Sequence, residues 1–176
     1  MRMTNRMISF GVWIVLAALT AGRSLGYTQS SQPPGGSYQW SAELVSLDET
    51  NRTITVKAMA AGDALKQASN FKSGEKVMLN WSGFDKSANA VNGLMKYDAT
   101  KKSETRFAFP AEFVAFDTAG SRVTFKAPIP AESIARIKTL KPGQWVTATS
   151  KHGVNDESHA ISAVRGYNDL ETTTSE

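Results

Sequence analysis

Cysteine is absent from this chain, and histidine is nearly so, with 2 residues in 176. Without cysteine no disulfide can staple the fold, no thiol nucleophile exists, and no lipid can be joined to a cysteine behind a leader segment. The two histidines, His152 and His159, lie in one short stretch, so the chain offers no Ser-His-acid arrangement for nucleophilic catalysis. A glycine-rich loop that would cradle phosphate ahead of a helix is missing as well. A long, almost uninterrupted apolar run occurs only at Ile8–Ala21, which is shorter than the roughly 20 residues a bilayer-spanning helix needs. Charge of one sign is equally scarce, with 20 Lys+Arg against 16 Asp+Glu.

The apolar run does have a ready explanation. Arg2 and Arg6 precede it, and the small residues Gly22, Ser24 and Gly26 follow it, which is the order of a secretory signal peptide. An uncleaved anchor is the alternative. The sequence therefore predicts a leader over 1–26, a mature start between Gly22 and Thr28, and an exported protein, periplasmic or secreted. Removing Arg2, Arg6 and Arg23 with the leader leaves 17 basic against 16 acidic side chains. The net positive charge is thus mostly the leader's, and the case for a nucleic-acid partner goes with it.

The rest of the chain contains itself twice. Ala42-Glu43-Leu44-Val45-Ser46-Leu47-Asp48 recurs as Ala111-Glu112-Phe113-Val114-Ala115-Phe116-Asp117, and Ile54-Thr55-Val56-Lys57-Ala58 as Val123-Thr124-Phe125-Lys126-Ala127, both displaced by 69 positions. After one inserted residue, Ala90–Tyr97 aligns with Ala160–Tyr167. Self-similarity of this length predicts architecture before anything else. The organisation expected is a polar Pro/Gly spacer over 27–37, β repeats over 38–98 and 107–169 joined by a basic linker over 99–106, and a disordered tail over 170–176.

Inside each repeat the apolar period is two. Thr53–Lys57 and Arg122–Lys126 alternate, as do Trp40, Ala42 and Leu44 with their counterparts Phe109, Ala111 and Phe113. Val45/Leu47 and Val114/Phe116 place apolar groups on the other face, which predicts core on both sides of the first strand. Asn51 stands opposite Gly120, predicting a hairpin with positive φ at that position. Lys72-Ser73-Gly74 and Lys141-Pro142-Gly143 predict turns with glycine at positive φ. Pro130–Ile137 and Asp63–Gln67 predict a helical turn, followed by strands at Lys76–Trp81 and Val91–Tyr97 and their equivalents. Asn92-Gly93 resembles a hairpin turn, but its partner Ser162-Ala163 does not, so both are read as strand. The fold class expected is all-β: two tandem four-stranded modules, each with a helical turn, packed pseudo-symmetrically. Each copy alone is near the size at which an unstapled core becomes marginal, so the copies are expected to bury surface against each other.

The pattern Ala-x-x-Val, hairpin, Ile-Thr-Val-Lys or Val-Thr-Phe-Lys, helical connection, Lys-x-Gly-x-x-Val resembles small exported β-barrels of the OB type, and in outline the periplasmic copper-efflux chaperones. The resemblance implies an OB-like barrel per repeat. That family holds copper through a histidine, a tryptophan and a Met-x-Met pair, and no Met-x-Met occurs after the leader, so the copper site does not carry over.

Two groups of residues invite a functional reading. His152, Asp156, Glu157 and His159 form the chain's densest set of metal-ligand types, and a metal ion there would need three or four of them to converge. The competing reading is a solvated loop. Trp145 aligns with the surface-like Lys76 and, beside Arg122 or Lys126, would suit a glycan or a protein partner; the competing reading has it filling the junction of the repeats. Glu43 and Glu112, equivalent by repeat, would make a carboxylate pair if they met across the pseudo-twofold. The sequence reading is an exported, non-enzymatic binding or accessory protein of the cell envelope without a resident cofactor. A metal chaperone or sensor using the His152–His159 loop and an envelope hydrolase with its site at the repeat junction are the alternatives.

Overall fold

The computed structural model describes residues 36–82, 90–100 and 107–169, which lie within one compact unit. The expectations for the leader, for all but the end of the spacer, for most of the linker and for the tail fall outside the described residues. Eight strands form one sheet: β1 (Ser37–Asp48), β2 (Thr53–Met59), β3 (Lys76–Trp81), β4 (Val91–Lys96), β5 (Ala108–Asp117), β6 (Arg122–Pro128), β7 (Trp145–Lys151) and β8 (Ile161–Gly166). Two short helices, α1 (Ala64–Gln67) and α2 (Ala131–Ile137), follow β2 and β6. The fold is therefore all-β, and its strand and helix limits lie close to those the alternation predicts.

The sheet order is β4-β3-β5-β6-β2-β1-β7-β8, antiparallel throughout. Exchanging each strand for the one four places on reverses this order onto itself, with the β2/β6 pair at the centre. The copies are not side-by-side modules, however. β3 of the first copy pairs with β5 of the second, and β7 of the second with β1 of the first. Only β1/β2 and β3/β4, with their equivalents, are local pairs; the helical connection carries the chain away from its own hairpin. The sheet is not closed into a barrel, and β4 and β8 are its ends.

Equivalent residues do equivalent work in the turns. Gly74 and Gly143 have φ of 89° and 90°, as expected, and their N–H groups donate to the carbonyls of Phe113 and Leu44 at 2.8 Å. The hairpin expectation needs correction. The positive φ falls not at Asn51 and Gly120 but one residue later, at Arg52 (51°) and Ser121 (49°). The connection is longer than two residues, so the left-handed residue is the one that closes it. Asp48 and Asp117 fold over this turn, accepting from the backbone N–H of Asn51 at 2.9 Å and of Gly120 at 3.1 Å.

The second apolar face expected on the first strand is also corrected. The register slips between Leu44 and Ser46 and between Phe113 and Ala115, so Val45 and Val114 are bulge residues. A bulge inserts one residue and restores the following side chains to the original face. Leu47 and Phe116 consequently pack on the same core as Leu44 and Phe113, while Val45 is exposed.

One core serves both copies. At its centre Trp40 stacks on Trp81 and Phe109 with ring centroids 4.9 and 5.3 Å apart, and Phe125 meets all three. Trp40 Nε1 donates to the buried Ser150 Oγ at 2.8 Å, so the indole's polar atom is satisfied inside the core.

The sheet ends are blunted by the helices. Gln67 of α1 accepts from the Leu94 backbone N–H at 2.7 Å, and Ser133 of α2 accepts from Val164 N–H at 2.9 Å. Leu94 and Val164 are repeat equivalents on the terminal strands. A side chain thus occupies the same edge donor in both copies, which discourages edge-to-edge association.

Candidate functional site

The residues proposed for ligand contact stand on the sheet face turned away from the core, where polar side chains alternate with buried ones. Glu43 on β1 lies in register with Trp145 on β7 and with Lys57 on β2. Its carboxylate takes Arg122 at 2.6 Å and Lys57 at 3.5 Å. Trp145 is 41% exposed and meets Tyr167, 56% exposed, edge to face at 6.3 Å. The structure therefore brings Arg122 to the carboxylate of the residue that lies opposite Trp145. Lys126 instead belongs to the pseudo-symmetric row, paired with Glu112 at 3.0 Å. Trp145 lies on the strand that joins the copies through β1, but it is exposed and stands outside the shared core, so it does not fill the core between the repeats. Glu43 and Glu112 are each engaged by cations of neighbouring strands rather than by one another.

The four residues of the metal reading go to different partners. The His152 ring stacks on Tyr38 at 5.2 Å and meets Phe107 at 5.1 Å. Glu157 receives Lys76 at 2.5 Å, and this contact and its charge raise the lysine's pKa. Asp156 accepts from His159 Nδ1 at 2.5 Å and from Ser158, and these bonds hold its carboxyl below the ordinary aspartate value. Among the described residues no three or more metal-ligating side chains come together. The segment is a short 3₁₀ turn, Glu157–His159, with Asp156 as its cap.

A feature that the sequence reading missed lies where β6, β7 and β8 approach. A cleft of about 330 Å³ is lined by Asn51, Arg52, Pro128, Ile129, Pro130, Lys151, Ser158, His159, Ile161 and Ser162. In the first copy the equivalent seam is held shut: Ala60 bridges Val91, and Ala61 N–H donates to the Val91 carbonyl at 2.8 Å. The equivalent of Ala61 is Pro130, which has no N–H to give. No equivalent bridge joins Ile129 to Ile161 among the described residues. The signal was present in the repeat alignment as alanine opposite proline.

Comparison of the chain with protein-family models, curated proteins and solved structures gives no match.

Proposed function

We propose that this is an exported, non-enzymatic binding or accessory protein of the cell envelope, acting through the outer face of its sheet on an envelope glycan. The observation that carries the reading is the exposed Trp145–Tyr167 pair beside the Glu43–Arg122–Lys57 row. Aromatic faces at a rim of charged hydrogen-bonding groups suit sugars, whose C–H faces stack while their hydroxyls bond to the charges. The core claims the opposite face of the same strands, so binding here needs no opening of the fold. We read the curled sheet as two interlocked OB-like units; what supports this is the Ala60–Val91 bridge, which returns the start of β4 to the end of β2.

Trp40 and Trp81 are buried and Trp145 is exposed, so tryptophan fluorescence reports selectively on this face. Titration with soluble fragments of envelope glycan should quench or shift the emission saturably in the native protein and not in Trp145→Ala. Equal responses from both proteins would count against the face, and photocrosslinking from position 145 in native envelopes to a protein alone would replace the glycan with a protein partner.

A further inference from the structure

We propose that the cleft between β6, β7 and β8 is a second binding site, built for a compact organic anion with one acid group. Its existence follows from the broken repeat symmetry described above: Pro130 cannot make the hydrogen bond that Ala61 makes to Val91, and the seam between Ile129 and Ile161 stands open where its counterpart is shut. The volume of about 330 Å³ falls at the small end of ligand pockets, enough for a single ring bearing an acid group.

The lining selects the sign of the ligand. Arg52 and Lys151 both line the cleft, and neither is in an ion pair among the described residues. Four other cations of the sheet, Lys57, Lys76, Arg122 and Lys126, are paired with glutamates, and Arg165 donates to the carbonyls of Gly166 and Asp169. Among the described residues no carboxylate lines the cleft; of those beside it in sequence, Glu157 holds Lys76, Asp156 is engaged by His159 and Ser158, and Asp48 by Asn51. Arg52 is placed there by the left-handed turn that closes the first hairpin, and its carbonyl accepts from the Ile129 N–H at 2.9 Å. Pro128, Ile129, Pro130 and Ile161 give the ligand body an apolar wall; the hydroxyls of Ser158 and Ser162 already donate to Asp156 and to the Thr149 carbonyl, so the acid group falls to the two cations. Two unpaired cations at the rim of a partly apolar recess suit a carboxylate or a phosphate carried on a sugar-sized body. This site is independent of the Trp145 face.

The test is a two-dimensional ¹H–¹⁵N NMR titration of the purified protein with glucuronate, glucose 6-phosphate and neutral glucose. Saturable shifts in the amides of Arg52, Lys151 and Ser162 with either acid, and none with glucose, are expected; the acid that saturates first identifies the headgroup. Lys151 is exposed, so Lys151→Ala should keep the native spectrum while weakening the binding about tenfold, and Lys151→Arg should retain it. Absence of saturable shifts with both acids, the same shifts with glucose, or unchanged affinity in Lys151→Ala would each overturn the proposal.

Discussion

The backbone N–H of Ala61 donates to the carbonyl of Val91 at 2.8 Å, and Pro130, the residue that stands for Ala61 in the second copy, has no N–H to offer. This difference falls where a closed seam in one copy faces an open cleft in the other. Ala61→Pro should open the first seam as well, at a cost of about 1–3 kcal/mol for the carbonyl left without its donor. Urea denaturation measures this directly. A variant as stable as the native protein would show that the bond does not hold the seam.

The central aromatic cluster should dominate stability. Phe125 is fully buried against Trp40, Trp81 and Phe109, so Phe125→Ala should lower the unfolding free energy by about 3–5 kcal/mol. Because Phe125 touches rings from both copies, the loss should be felt by the whole sheet. A small, local change in amide exchange would contradict this.

The edge caps make a finer prediction. Ser133 is buried, and its hydroxyl accepts from Val164 N–H. Ser133→Ala should destabilise by about 1–3 kcal/mol through the donor left unpaired. Val164 should also lose hydrogen-exchange protection before the interior strands do. Unchanged protection at Val164 would remove the cap from the account of edge blunting.

Acid titration should reveal the two aspartate caps. Backbone and side-chain hydrogen bonds from Asn51 lower the Asp48 pKa, and His159 followed by Ser158 lowers that of Asp156, both from the ordinary 3.8. A folded value below the unfolded one means that the contribution is complete above the unfolded pKa and is lost as pH falls through the depressed folded value. Carboxyl NMR titration should place both midpoints below 3.8, with Asn51→Ala moving Asp48 upward. Midpoints at or above the ordinary value would deny the caps their role.

Much of this architecture is legible along the chain because strand alternation is a local property. The period of two in Thr53–Lys57 and Arg122–Lys126 marks β2 and β6, and the repeat alignment keeps Asn92-Gly93 inside β4 despite its hairpin-like composition. What the alternation cannot carry is pairing. Val77 reads the same whether β3 lies beside its own hairpin or beside β5, since either neighbour buries it. The bulges escape for a related reason: Leu44 and Leu47, three apart, break the period without saying whether the strand has two apolar faces or one inserted residue. The outer face proposed for binding was half visible, in Trp145 aligned with Lys76. The cleft was hidden because its lining comes from the first hairpin, the β6 end and the β8 start, which only the cross-copy pairing assembles.

The interlaced pairing of the two copies is the central structural claim, and the isolated first copy tests it most directly. A chain of residues 36–100 contains β1 to β4 but lacks β5, which pairs with β3, β6, which pairs with β2, and β7, which pairs with β1. Size-exclusion chromatography with light scattering, read alongside an NMR spectrum, should find this fragment unfolded, aggregated, or dimeric with the second molecule supplying the missing strands. A monomer with a dispersed, folded spectrum would show that one copy completes its own core, and would contradict the exchange of strands between them.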